Sequence, residues 1–271
     1  MQPANQIPIR LSRILGFVAG GAAIAALLAP RIAQDLAYHQ FADTRPLLGI
    51  PNSLNVLSNL PFAVVGLGGL IAVSRMQGWQ RRPYAALFAG TALTAIGSAY
   101  YHLAPDNWRL VWDRLPMTVG FMGLLTAVLA ERVNGRAART LFVPLLVFGA
   151  ASVAYWYWSE VRGAGDLRPY ALVQFGSLLI ILIALLASPS RYGDDRFFYL
   201  GLGAYLLAKL FEYDDRPIYD AARIVSGHTI KHLMAAVGLW FLVLMLRQRF
   251  ASRSVHAVSS PHIDSLGGDR R

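Results

Sequence analysis

Cysteine is absent from this sequence of 271 residues. Without a thiol, the chain cannot form a disulfide, use a cysteine nucleophile or bind zinc through sulfur. Charge is also scarce, because only 15% of the residues are charged while 55% are hydrophobic. A soluble domain normally carries about 25% charged residues. The composition therefore disfavours a soluble domain.

The hydrophobic residues come in long blocks and do not alternate with polar residues at a short period. Lipid requires each backbone polar group to bond within its own segment, so blocks of this length are typical of membrane-spanning helices. The sequence predicts an all-α polytopic membrane helix bundle. We find eight apolar blocks, at roughly 14–30, 55–74, 84–103, 114–131, 140–159, 169–188, 196–212 and 224–246.

The blocks divide the chain into three regions. Residues 1–30 hold the first block, which follows Arg10 and Arg13 and ends in small residues, so it is either an extra transmembrane helix or a signal-like segment that is cleaved. Residues 31–250 form the main transmembrane domain. Residues 251–271 are rich in Ser, Gly and Arg and are predicted to be a disordered basic tail.

The net charge of +10 raises nucleic acid as a partner, but the positions of the charges argue against it. With both termini in the cytoplasm, the cytoplasmic segments hold fifteen arginines and five acids, against eight arginines and ten acids outside. Such a bias sets the orientation of membrane proteins. It predicts an integral membrane protein with both termini in the cytoplasm. If the first block were cleaved, the remaining helices would keep the same orientation in the membrane.

Five polar residues lie at the ends of apolar blocks. Ser98 and His102 close the third block, Asp113 opens the fourth, and His228 and His232 open the eighth. The two pairs are each four residues apart, so the members of a pair share one helix face. The predicted topology brings all five to the outer side of the membrane, although they are far apart in sequence. Ionisable groups at membrane depth are costly and usually functional.

Three imidazoles at one depth are typical ligands of catalytic zinc, which keeps its fourth position open for water. Bound zinc lowers the pKa of that water toward about 7. Asp113 is the candidate to accept the proton and pass it to a leaving amine. Ser98 is the candidate to donate a hydrogen bond to the oxyanion.

Each residue also has a purely structural explanation. A histidine pair at this spacing can occur by chance, and His102 can anchor a helix at the membrane interface. Asp113, three residues before Pro116, can cap a helix. Ser98, beside a glycine, can allow close helix packing. The joint arrangement of the five residues favours the metal site.

These motifs resemble the alkaline ceramidase family. The shared features are GlySerAlaTyrTyrHis ending at His102, Asp113 eleven residues later, SerGlyHisThrIleLysHis ending at His232, and AsnValLeuSerAsn over 55–59. The resemblance extends from about residue 43 to residue 240. It also includes the wider group of seven-helix membrane hydrolases to which the adiponectin-type receptors belong. Each motif is weak alone and specific in combination.

The resemblance implies a seven-helix ceramidase-like core, plus the extra N-terminal helix. It implies one zinc ion on His102, His228 and His232, with Asp113 and Ser98 around the water and the scissile amide. It also implies a ceramide-like substrate from the bilayer, cleaved to fatty acid and sphingoid base.

The family's calcium loop is not matched. Asp43 stands at its first acid, but Asn52 stands where a later acid is expected, and one carboxylate is too few for a calcium site. Whether calcium binds therefore stays open. The acidic segment 212–220 is either a solvated outer loop or a source of carboxylates that support the histidines, with Glu212 and Asp215 as candidates.

Four other functions are weighed against the amidase. A receptor or lipid-binding protein of the same architecture would hold a structural zinc, but such a site is normally closed by a fourth protein ligand. A transporter or channel would place charges in the middle of several helices. A serine hydrolase would need a strand-to-helix elbow at Ser98, and a His-Glu-x-x-His protease would need a glutamate at Thr229. Lipid class and oligomeric state stay open.

Overall fold

The computed structural model describes residues 6–190 and 192–258, which fold almost entirely into helices. The long helices are α1 (Gln6–Leu28), α3 (Leu60–Ser74), α4 (Arg81–Leu103), α5 (Asn107–Arg132), α6 (Gly135–Val161), α8 (Ser177–Ala187), α9 (Asp195–Tyr213) and α11 (Gly227–Val258). The short elements are a 3-10 turn (Leu36–His39), α2 (Ser53–Leu57), α7 (Arg168–Ala171), a π turn (Leu172–Gly176) and α10 (Asp215–Ala222). The described ranges contain no strand, which confirms the all-α prediction.

Among the described residues, six segments are long and apolar enough to cross a membrane, which is compatible with an integral membrane protein. They are Arg10–Leu28, Ser53–Ser74, Asn107–Arg132, Gly135–Val161, Arg168–Ala187 and Gly227–Ala251. Helices α4 and α9, with 23 and 19 residues, are not among the six and pack against them. All eight predicted blocks fall on helices, whereas the seven-helix core remains a prediction.

Three helices begin more than three residues earlier than the apolar blocks predicted. They are α1 at Gln6, α5 at Asn107 and α6 at Gly135, because turns that include polar residues extend them beyond their apolar parts. Asp113 therefore does not open the fourth long helix, as predicted, but lies in its second turn. The N-cap of α5 is Asp106, whose carboxylate accepts from the Arg109 amide at 2.6 Å. The explanation of Asp113 as a helix cap is therefore wrong.

Two segments predicted to be irregular are helical. The acidic segment 212–220 is not a loop, since α9 continues to Tyr213 and α10 follows at Asp215. Helix α11 continues to Val258 and so includes the first part of the predicted disordered tail. Residues 259–271 of that tail lie outside the described residues.

Two glycines let helices approach closely beside the predicted site. A Cβ atom on Gly97 of α4 would lie 1.9 Å from the Trp112 carbonyl oxygen of α5. A Cβ atom on Gly227 would lie 2.1 Å from the Phe211 carbonyl oxygen of α9. Any larger residue would push these backbones apart. Gly97 thus provides the close packing, and the neighbouring Ser98 is free for another role.

An ion-pair network lies near the opposite end of the bundle. Arg249 of α11 donates to Glu131 of α5 at 2.7 and 3.0 Å, and it also pairs with Asp194. The Tyr84 hydroxyl of α4 donates to Glu131 at 2.8 Å. These contacts join the cytoplasmic ends, in the predicted orientation, of three helices that carry the site at their other ends.

Helix α1 is attached to the rest of the bundle at its C-terminal end. The Arg168 guanidinium donates to the Ala26 and Leu27 carbonyls at 3.0 and 3.2 Å, and it pairs with Asp166 at 2.8 Å. A cation at a helix C-terminus satisfies carbonyls that have no partner within the helix. Arg168 therefore determines where α1 ends relative to α7.

Candidate metal centre and cavity

Three buried histidines meet where two helix ends come together. His102 lies in the last turn of α4, and His228 and His232 lie in the first two turns of α11. Every pair of imidazole rings has its centroids 4.9 Å apart. One nitrogen from each ring lies within 4.8 Å of the others. The structure thus brings together the three histidines that the sequence singled out.

The triad fits a metal ion. His102 Nδ1 is buried and has no hydrogen-bond partner among the described residues, which is unusual for a buried nitrogen unless an ion or water completes it. Three imidazole nitrogens, with no fourth ligand from the residues that the structure describes, match the donor set of a catalytic zinc site. The three residues are each at most 4% exposed. The site is therefore compatible with one zinc ion.

Neighbouring groups hold the ring and backbone of the α11 histidines. Ser58 Oγ lies 2.7 Å from His232 Nδ1. The Asp215 carboxylate accepts from the amide of His228 at 2.7 Å and from the amide of Ala42 at 2.8 Å, so it joins α10 to the loop before α2. Asp215, a predicted support for the histidines, therefore contacts the His228 backbone and not its ring.

Lys231 stands directly beside the triad. Its Nζ lies 3.2 Å from His228 Nε2 and 2.9 Å from Glu212 Oε1. Lys209 also pairs with Glu212, which is thus held between two lysines. Glu212, the other predicted support, reaches the triad only through Lys231. The lone pair of His228 Nε2 serves only one partner at a time, so a zinc ion on that nitrogen would displace the hydrogen bond from Lys231.

Ser98 and Asp113 lie on the wall of a large cavity next to the triad. Both are buried, and the Ser98 hydroxyl lies near the Asp113 carboxylate. His232 lines the same cavity. The close packing at Gly97 brings this part of α4 near to α5. The hydroxyl and the carboxylate therefore face the space in which a ligand beside the triad would lie.

The cavity has a volume of about 450 Å³ and is walled mostly by apolar side chains. Along α11 it extends from His232 to Leu242, which is about 15 Å at 1.5 Å per residue. Its polar end holds Ser98, Asp113 and Lys231. A cavity with one polar end and a long apolar remainder suits a single-chain amphiphile.

In the loop at Asp43, the position compared with the family's calcium loop, the carboxylate is paired with an arginine of the same loop. Arg45 donates to the Asp43 carboxylate through Nε and Nη2, both at 2.8 Å, and to the carbonyls of Arg223 and Ile224 at 3.1 and 3.0 Å. These hydrogen bonds lower the pKa of Asp43. Asn52 instead donates to the His102 carbonyl. Within the described ranges, the triad is the only such group of potential metal ligands.

No family model matches the chain, and a search of curated proteins finds no match. The site is therefore interpreted from its own geometry. Sequence reasoning missed the roles of Ser58, Lys231 and Arg114. Ser58 lies in the AsnValLeuSerAsn motif, and Lys231 stands between the two α11 histidines. Their places in the sequence could therefore have indicated that both lie near the site. Arg114 follows Asp113 and is one of the eight arginines assigned to the outer side, and nothing else in the sequence sets it apart.

Proposed function

We propose that this protein is a zinc-dependent amidase of the membrane, which hydrolyses the amide bond of a ceramide-like lipid to a fatty acid and an amine. The observation that carries the proposal is the convergence of a three-histidine site and a hydroxyl–carboxylate pair at the polar end of one apolar cavity. This arrangement supplies metal ligands, a proton acceptor and space for an alkyl chain. The resemblance to alkaline ceramidases supports the same substrate class.

The residues divide the chemical work between them. His102, His228 and His232 would hold the zinc ion, which supplies Lewis acidity for a water and for the amide carbonyl. Water attacks the amide carbon while Asp113 accepts its proton. The C–N bond then breaks, and Asp113 returns the proton to the leaving nitrogen. Ser98 can turn its hydroxyl from Asp113 to the oxyanion and donate a hydrogen bond to it.

The membrane setting accounts for the kind of substrate. The cavity lies between helices, so a lipid already in the bilayer reaches it most directly. Its apolar walls replace the lipid environment of an acyl chain, while the polar end receives the amide. We place this end on the outer side of the membrane, with both termini in the cytoplasm, because the arginine bias favours that orientation.

The alternative is a receptor or lipid-binding protein in which zinc is structural. The same cavity and triad would serve it, but it would not need Asp113 and Ser98 beside the open position. Catalysis and binding therefore differ in one measurable respect. An enzyme converts a panel of N-acyl lipids, including ceramide, in a zinc-dependent way, whereas a receptor binds without turnover.

The test uses the purified full-length chain with a fluorescent ceramide and other N-acyl lipids. We expect fatty acid release that stops on chelation and returns with zinc. His102→Ala should abolish both zinc binding and release. His39→Ala is the matched control, because His39 bonds Tyr101 and Asn107 and stands outside the triad. Release that persists after chelation, or a zinc-loaded wild type inactive on the whole panel, would refute the amidase.

A further inference from the structure

A buried arginine on the cavity wall has no ion-pair partner. Arg114 of α5 is only 6% exposed and lines the cavity one residue after Asp113. Its Nη2 donates to the Gln34 side chain at 2.7 Å, and its Nη1 has no hydrogen-bond partner in the part of the chain that the structure describes. No described carboxylate lies within 4.0 Å of it. A buried charge in this state is costly unless a ligand completes it.

Three aromatic rings hold the guanidinium in place. Its central carbon lies 4.2 Å from the ring centre of Trp156, 4.7 Å from that of Tyr170 and 5.7 Å from that of Tyr38. Trp156 and Tyr170 are themselves buried. Such rings stabilise a cation without neutralising it. The group is therefore preorganised and keeps hydrogen-bond donors available.

The charges on the cavity wall leave one cation in excess. Lys209, Lys231 and Arg114 face Asp113 and Glu212. Both lysines pair with Glu212. Among the described residues Asp113 is the only other carboxylate on the wall, and it makes no ion pair with Arg114. A single negative charge on the ligand would balance the excess among these side chains. A guanidinium is well suited to a carboxylate, because the two groups match in shape and hydrogen bonding.

The guanidinium of Arg114 is held by different elements from those that carry the triad. Its ring contacts come from α6, α7 and the 3-10 turn, whereas the histidines come from α4 and α11. A substrate amide beside Asp113 and Ser98 would send its acyl chain along the apolar wall. The substituent on nitrogen is then the part that is left to reach Arg114. A fatty acid product would instead carry its carboxylate at the reacting carbon.

We propose that Arg114 binds a carboxylate on the amine portion of the substrate, so that the site takes N-acyl lipids of the N-acyl amino acid type. The amide in this statement rests on the proposed function. Arg114 is thus a specificity-determining residue, which selects an anionic lipid over a neutral one of the same length. The acyl chain, the amide and the carboxylate each occupy a different part of the cavity.

The test uses ligands that cannot be hydrolysed, so binding is measured apart from turnover. In the ketone isosteres of N-oleoylglycine and N-oleoylethanolamine, a methylene group replaces the amide nitrogen. Dissociation constants are measured for both isosteres and for oleate, on the full-length zinc-loaded protein in neutral detergent. We expect the anionic isostere to bind at least about tenfold more tightly than the neutral one, as a charged hydrogen bond allows.

Variants assign that preference to Arg114. Arg114→Gln should remove the preference, and Arg114→Lys should keep part of it. Arg109→Gln, on the same helix but outside the cavity, should keep all of it. Equal binding of the two isosteres by the wild type would overturn the proposal even if no variant folds. A preference that survives in Arg114→Gln would also overturn it.

Oleate separates the two sources of a carboxylate. If oleate binds as tightly as the anionic isostere and depends equally on Arg114, the arginine recognises the acyl acid, and the proposal of an amine-side carboxylate is wrong. The result is independent of catalysis. If the anionic isostere is preferred but no N-acyl lipid is hydrolysed, the anion site stands and the amidase proposal is wrong. If N-acyl lipids are hydrolysed but the isosteres bind equally, the amidase proposal stands and the anion site is wrong.

Discussion

Ser58 Oγ lies 2.7 Å from His232 Nδ1 and 3.1 Å from the Asn55 carbonyl oxygen. With the hydroxyl proton donated to the Asn55 carbonyl, the imidazole is the donor to Ser58 from Nδ1. The lone pair of His232 is then on Nε2, where it can bind a metal. Ser58 therefore selects the tautomer of a predicted zinc ligand.

We predict that Ser58→Ala lowers zinc affinity about 10- to 100-fold, because groups that orient metal-binding histidines typically contribute that much. The measurement is a competition titration against a chromophoric chelator. Ser74→Ala is the matched control, since this hydroxyl bonds only the Ile71 carbonyl at the far end of α3. Unchanged affinity in Ser58→Ala would show that the tautomer is set by something else.

Asp113→Asn and Ser98→Ala separate the proposed mechanism from a serine nucleophile. Asp113→Asn keeps the size of the side chain and removes the proton acceptor, so amidase activity should fall about 10²- to 10⁴-fold while zinc stays bound. Ser98→Ala should cost less, because the hydroxyl only assists the metal at the oxyanion. The rates are compared on one N-acyl lipid at saturating zinc. A serine nucleophile predicts the reverse order and activity that survives chelation.

Asp43 should make stability depend on pH through Arg45. The Arg45 hydrogen bonds lower the pKa of Asp43 in the folded protein. The stabilisation is therefore full above the unfolded-state pKa of about 3.9 and is lost as the pH falls through the lower folded-state value. Asp43→Asn should lower the thermal midpoint at pH 7, and the difference from wild type should shrink below about pH 4.

The matched control for Asp43 is Asp220→Asn. Asp220 also pairs with an arginine, Arg223, but at 4.0 Å and with both side chains more than half exposed. Exposed pairs contribute little, so this change should leave the midpoint nearly unaltered at every pH. Equal effects of the two substitutions would show that the buried Asp43 contact has no special weight.

The orientation can be measured with single cysteines, because the chain has no cysteine of its own. Ala221 is exposed at the triad end, and Gln77 is exposed at the other end. We predict that an impermeant maleimide labels Ala221→Cys in intact cells and labels Gln77→Cys only after the membrane is opened. The opposite pattern would reverse the orientation inferred from the arginines.

The sequence predicted the positions of the helices well and their ends less well. Apolar blocks mark the parts of helices that can contact lipid, whereas α5 begins at Asn107 with a polar turn. The triad could be predicted, because His102, His228 and His232 lie at helix ends that the topology brings to one side. That prediction needed only the order of the helices and the rule that successive helices cross the membrane in opposite directions.

The surroundings of the triad could not be predicted in the same way. Nothing in the sequence shows that the Arg114 guanidinium lies among three aromatic rings from other elements, because each ring is more than 40 residues away in sequence. The contact of Lys231 with Glu212 depends on how α9 packs against α11. Such contacts follow from tertiary packing and leave no local pattern.

Arg249 and Glu131, joined by an ion pair, line a polar cavity that is separate from the apolar one. Fixed charges disfavour the passage of an alkyl chain, so under the proposed function we expect substrate lipid to enter from the triad side. A hydrolase with access from one side would remove lipid from one leaflet only and leave a mismatch in area between the two, a stress that curves the membrane.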